Sequence, residues 1–152
     1  PLASDWYNGR RTPDANQTLT ASIHGLQLGT SAPMLFKALV EATAFGSKAI
    51  ADRFEEEGIH IKEVMAIGGV AKKSPFVMQT LADVMEVSIK VAATDESCAH
   101  GAAMFAATAA GVYPNVEEAM KMMGQGIELS YHPNPERSAY LRAKYNLYQE
   151  LA

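Results

Sequence analysis

The stretch richest in chemistry is residues 63–79, EVMAIGGVAKKSPFVMQ. Gly68 and Gly69 carry no side chains, so the backbone can take unusual dihedrals there and another molecule can approach closely. Lys72 and Lys73 follow. Ser74-Pro75 then offers an N-cap hydroxyl and a first-turn proline, which predicts a helix start. Basic residues beside an open helix N-terminus suit an anion, because unpaired N–H groups and the positive end of the dipole favour phosphate. The same residues also read as nothing more than a tight strand-to-helix turn, since a lone glycine pair is weak evidence. No HExxH, CxxC or clustered His/Asp spacing argues for a protein metal site. Cys98 has no base paired with it in sequence and reads as a small core residue. His100 reads as a polar contact, and Asp83 and Asp95 as solvated or capping acids.

The elements around this stretch follow from periodicity. Val64 to Ile67 is an apolar run of the kind expected of a strand buried on both faces. Upstream, Leu19, Ala21 and Ile23 alternate with Thr18, Thr20 and Ser22, which predicts a half-buried strand. A long helix should begin at Thr30 or Ser31, with Leu35, Leu39, Ala42, Phe45, Ala49 and Phe54 as its buried stripe and Gly58 as its stop. After Pro75 a helix turns Phe76, Val77, Leu81, Val84 and Met85 inward, and Val87, Ile89 and Val91 alternate as a further strand. Thr94 to Ser97 reads as the capped opening of an alanine-rich helix ended by Gly111; its small side chains predict a central position. A short helix near Val116 to Met123, a strand at Ile127 to Tyr131 and a terminal helix from Glu136 complete the chain. Met120, Met122 and Met123 read as gap-filling core. Tyr140, Tyr145 and Tyr148 with Leu141, Leu147 and Leu151 form a stripe for docking on the body or on a partner. Trp6 and Tyr7 sit with Arg10 and Arg11 around an Asn8-Gly9 turn, either lining a cleft or packed on a neighbouring element.

The order strand, helix, strand, helix, strand, helix predicts an α/β domain, with any ligand outside the strand carboxyl ends, where Gly68-Gly69 falls. At 152 residues one domain with a sizeable core fits. A net charge of -4 gives no general footprint for nucleic acid or an anionic membrane. One cysteine rules out an internal disulfide framework and fits a reducing, cytoplasmic setting. No transmembrane run or secretory leader is expected. The chain starts at Pro1 and reads as a fragment of something longer.

Three segments carry a family resemblance. Residues 68–87, GGVAKKSPFVMQTLADVMEV, resemble the adenosine motif of the FGGY carbohydrate kinases. Residues 94–113, TDESCAHGAAMFAATAAGVY, resemble the helix that follows it there. The opening DWYNGRRTPDAN is similar to the bacterial L-ribulokinase branch of that family. The second family signature is matched at Leu35, Ala38, Val40 and Glu41, and departed from at Met34 and Leu39. The resemblance runs over essentially the whole chain.

It implies an actin-like ATPase (ribonuclease H-like) fold, of which residues 1–152 are most of the second domain. It also implies an ATP-gripping domain of a sugar kinase that phosphorylates L-ribulose, inactive as an isolated fragment. Gly69 would lie close to the α-phosphate with Gly68 beside it, and the polar adenine contact would be Lys73 or Ser74. No catalytic base or metal ligand carries over to this chain, so the base, the sugar contacts and most of the Mg²⁺ site are expected upstream. The partners implied are ATP and a ketopentose, with homo-oligomers open and neither nucleic acid nor membrane. The alternatives are a non-catalytic actin-like nucleotide module, or an interaction domain using the C-terminal tyrosine stripe.

Overall fold

The computed structural model describes residues 1–151. In chain order the elements are β1 (Leu2–Ala3), β2 (Ile23–His24), α1 (Ala32–Glu56), β3 (Glu63–Ala66), α2 (Gly69–Lys73) and α3 (Pro75–Met85), then β4 (Ser88–Ala92), α4 (Ser97–Ala109), α5 (Val116–Met123), β5 (Ile127–Tyr131) and α6 (Pro135–Gln149). β3 and β4 pair in parallel, Val64 opposite Ile89 and Ala66 opposite Val91. β5 joins β4 antiparallel, with a register shift at Val91/Ala92. β1 and β2 form a separate antiparallel pair.

One face of the three-stranded sheet carries the core. Ile89 and Val91 alternate inward and are fully buried against Ala71, Met78 and Ala82. α3 therefore lies on the sheet, with α1 beside it and α6 across both. The second core sits where α1, α3, α6 and the N-terminal segment converge: Phe45, Val84, Leu141, Tyr145, Tyr148 and Trp6. Phe45 stands 5.7 Å from Tyr145 and 5.5 Å from Tyr148, and Trp6 5.4 Å from Tyr148, all tilted pairs within the favourable range for aromatic contacts. Beside this junction Glu41 is buried and paired with Lys144, whose ammonium also donates to the Pro1 carbonyl at 3.0 Å. Burial and hydrogen bonds to Asp52 and Asp5 push the Tyr145 and Tyr148 hydroxyls well above the ordinary phenol range.

Several expectations are corrected. Residues 18–22 form no strand; only Ile23–His24 pairs, because the partner β1 is itself two residues long. β3 pairs only with β4 among the described residues, so Met65 and Ile67 are more than half exposed and the run is not buried on both faces. α4 buries no residue and touches chiefly α5, so it is not central; Cys98 is exposed rather than core. Its opening is also different. The helix starts at Ser97 without a side-chain cap, and Asp95 lies outside it. Phe54 is half exposed, and Met120 and Met122 are exposed, not gap-filling. The tyrosine stripe is divided: Tyr145, Tyr148 and Leu141 go into the core, while Tyr140 and Leu147 face out. Asp83 is fully buried, not solvated, and its Oδ1 accepts from Gln79 Nε2 and from the Asn134 N–H, each at 2.8 Å. Arg137 Nε lies 3.1 Å from its other oxygen.

The aromatic junction gives a direct stability test. Phe45→Ala should cost about 3–5 kcal/mol in urea unfolding, through lost transfer energy and the cavity left behind. Phe54→Ala should stay within roughly 0.5 kcal/mol of the parent. Similar losses for the two would show that burial at the junction does not set stability.

Candidate functional site

The Gly-Gly turn stands at the carboxyl end of β3, but its two glycines do different jobs. Gly68 has φ +87°, a conformation that L side chains rarely adopt, so glycine is demanded there by backbone geometry alone. A Cβ at Gly69 would meet nothing within 4 Å, and its φ is not positive. Neither strain nor crowding within the chain asks for glycine at 69. The backbone at this point faces open space.

Between Gly69 and the helix at Pro75 the structure inserts a turn of helix that the sequence reading lacked. α2 takes up Gly69–Lys73, and Ser74 serves as its C-cap and as the N-cap of α3. The Ser74 N–H donates to the Val70 carbonyl at 3.0 Å, and Ser74 Oγ accepts from the Val77 N–H at 3.4 Å. The N-terminus of α3 is therefore set back from the glycines and already capped, which removes part of the reason for expecting an anion directly on it. Ser74 is half-buried and keeps its hydroxyl proton to donate.

The two lysines part company. Lys73 is exposed and makes no ion pair among the described residues. Lys72 is drawn under the turn with only 19% of its side chain exposed. Its Nζ stands 2.6 Å from Asp95 Oδ1 and 3.1 Å from Glu128 Oε2, and donates to the Ala93 carbonyl at 2.6 Å. Lys72 is thus a tie between α2, the loop after β4 and the start of β5. The sequence reading placed Asp95 at a helix start; the tertiary partner 23 residues away was invisible to it. The bond to Asp95 raises the Lys72 ammonium above its ordinary value, and the same bond holds the Asp95 carboxyl below the usual range.

Gly68, Gly69, Lys73 and Ser74 are brought to one end of the sheet by this arrangement. No group of three or more His, Cys, Asp or Glu side chains is positioned for a metal ion among the described residues. Asp95 and Glu128, the acids near the turn, are committed to Lys72. Among the described residues no helix is long and apolar enough to cross a membrane.

The Lys72 tie has a pH signature. A carboxyl whose folded pKa is depressed stabilises the fold above its unfolded value, about 3.9 for Asp, and that contribution disappears as pH falls through the folded value. Followed by carboxyl carbon NMR, Asp95 should titrate below its ordinary range in the parent and return to about 3.9 in Lys72→Gln. An unchanged midpoint in the variant would exclude the tie as the cause.

The comparisons with known proteins agree with this architecture. The model of the FGGY family of carbohydrate kinases, C-terminal domain, matches residues 1–110. A protein of Vibrio parahaemolyticus named ribulokinase is 50% identical over 151 residues, covering 99% of this chain and 27% of that protein. A ribulokinase of Bacillus licheniformis is 40% identical, over 99% of this chain and 28% of its own length. Among solved structures, gluconate kinase from Lactobacillus acidophilus superposes with a TM-score of 0.86 at 25% identity, covering 99% of this chain and 30% of its own. Plasmodium falciparum glycerol kinase with ADP shares the fold at a TM-score of 0.80 and 22% identity, over 98% of this chain and 30% of its own. The chain spans little more than a quarter of the curated relatives it matches. It has the α/β fold of the actin-like ATPase C-terminal domain and belongs to the FGGY family of carbohydrate kinases.

Proposed function

We propose that this chain is the C-terminal, ATP-gripping domain of a cytoplasmic sugar kinase that transfers the γ-phosphoryl group of ATP to L-ribulose. The observation that carries this reading is the open backbone at Gly69. Glycine there is required by nothing inside the chain, at the carboxyl end of a parallel strand, where α/β sheets take their ligands. Family membership and the relatives named ribulokinase support the reaction class and the sugar. The solved neighbour named with ADP is in keeping with a nucleotide in this fold.

In this reading Gly69 lets the nucleotide phosphates approach the backbone, Gly68 supplies the turn, and Lys73 or Ser74 contacts the adenine. Lys73 is free to extend and Ser74 can donate its hydroxyl proton. Phosphoryl transfer depends mostly on positioning and charge stabilisation, so a domain that only orients the nucleotide contributes to the rate. Among the described residues no group of three or more His, Cys, Asp or Glu side chains is placed for Mg²⁺. Mg²⁺ would be held through the phosphates and by groups outside this chain, as is usual for such sites. The general base and the sugar contacts would lie outside it as well. The tyrosine-stripe alternative loses its support, because three of its members are spent on the core.

Gly69→Val tests the reading in the full-length enzyme. A branched side chain at the open backbone should raise the ATP KM on the order of tenfold or more, a loss of about 1.4 kcal/mol or above. An unchanged KM in a normally folded variant would remove Gly69 from the site. The 152-residue chain assayed alone with ATP, Mg²⁺ and L-ribulose should release no sugar-dependent ADP. Measurable turnover would overturn the assignment of the base to another part of the protein.

A further inference from the structure

A cavity stands apart from the Gly-Gly turn. Its volume is about 500 Å³, between residues 5–14, residues 43–56 of α1 and the end of α6. That volume is ordinary for a small-molecule pocket. It lies at the far end of α3 from Gly69. Gly69 precedes the N-terminus of α3, whereas Val84, near its C-terminus, packs in one cluster with Trp6, Tyr145 and Tyr148, which line the cavity. Eleven residues of helix put those ends roughly 16 Å apart.

The charges of this cavity are unevenly spent. Arg53 pairs with Asp14 at 2.7 Å and with Glu56 at 3.4 Å. Asp52 accepts from Lys48 and from the Tyr145 hydroxyl, each at 2.8 Å, and Asp5 accepts from the Tyr148 hydroxyl at 2.8 Å. Every lining carboxylate thus has a donor. Two guanidinium groups remain. Arg10 uses only its Nε, donating to the Asp14 carbonyl at 3.1 Å, and its Cζ is held 5.8 Å from the centre of the Trp6 ring. Its terminal nitrogens have no protein acceptor among the described residues, and Arg11 has none at all. The unmet hydrogen-bonding capacity of the cavity is concentrated in cationic, fork-shaped donors, the geometry that matches phosphate and carboxylate groups.

We propose that this cavity is a second ligand site, distinct from the Gly-Gly turn, that takes a small metabolite by its phosphate or carboxylate group through Arg10 and Arg11. Trp6 forms its floor. The aromatic core beneath fixes Trp6, and Arg10 is held over Trp6 and against the Asp14 carbonyl, while Arg11 reaches the oxyanion from the exposed rim. The roughly balanced charge of the lining means that selectivity comes from the two forks rather than from a general positive field.

Trp6 is the chain's one tryptophan and is 4% exposed beneath Arg10, so its fluorescence reports on the site. The 152-residue chain is titrated with sodium phosphate and, separately, with sodium acetate, chloride holding ionic strength constant. A saturable change is expected, with the tighter anion naming the ligand's group. The apparent affinity should fall roughly tenfold in Arg11→Gln and in Arg10→Gln. Arg11 is exposed and its side chain has no bonded partner among the described residues, so its variant should retain the parent's circular dichroism. The response should be unchanged in Gly69→Val. No saturable response to either anion, or an equal response in Arg11→Gln, would overturn the proposal. So would loss of the response in Gly69→Val, which would put the anion at the glycine turn instead.

Discussion

The junction of Phe45, Tyr145, Tyr148 and Trp6 is the constraint on which the rest of this chain depends. It joins the middle of α1, the end of α6 and the first few residues, elements separated by up to 143 positions in sequence. Each ring buries a large apolar area, and each tyrosine hydroxyl is satisfied by a carboxylate, Asp52 or Asp5. The polar bonds are what make the burial tolerable: a phenol withdrawn from water without an acceptor would cost more than it contributes. Gly46 is part of the same junction, since its missing side chain leaves room for the Asp5 carboxylate against α1. Glu41 and Lys144 pin the neighbouring turns of α1 and α6 and hold the chain's first carbonyl.

With α1 and α6 fixed, α3 has a defined bed, and through α3 the sheet takes its place. Asp83 on α3 reaches the turn before α6, accepting from the Asn134 N–H. That turn follows β5, so the carboxylate couples the helical layer to the sheet's antiparallel edge. Lys72 does the same at the other end, tying α2 to the loop after β4 and to β5. The Lys72 tie holds the helix that begins at the Gly-Gly turn, while the outer face of the turn stays open. In the proposed reading such a mount suits nucleotide positioning, because orientation is most of what a protein adds to phosphoryl transfer.

The apolar surface left uncovered has a consistent placement. Met65 on β3, Ile67 just past it and Phe105 on α4 are exposed in a chain that spans about 27% of its relatives' length. The apolar run at residues 64–67 and the small side chains of α4 had foretold burial for these elements. The pattern states what a side chain would accept as a neighbour; the described residues supply no neighbour there.

The sequence by itself determined the elements whose signals are local. The helices of residues 32–56, 75–85, 116–123 and 135–149 follow from spacing and from their caps, Ser74 and Asn115 accepting from Val77 and Glu118 N–H groups as their positions require. Gly68 was legible too, because a positive φ after a strand leaves few residues to choose from. The family resemblance was legible as well, from residues 5–16, 68–87 and 94–113 together. What only the tertiary structure decided is how charged and aromatic residues were spent. Lys72 and Lys73 are adjacent and chemically identical, yet one is a structural tie and the other faces solvent. Asp83 and Asp95 both looked like surface acids, and their partners lie 51 and 23 residues away. Tyr140 and Tyr145 belong to one stripe, yet only Tyr145 is buried. Side-chain type fixes what bonds a residue can make. Which bond it makes depends on what the fold brings within about 3 Å, and no local pattern in a single chain encodes that.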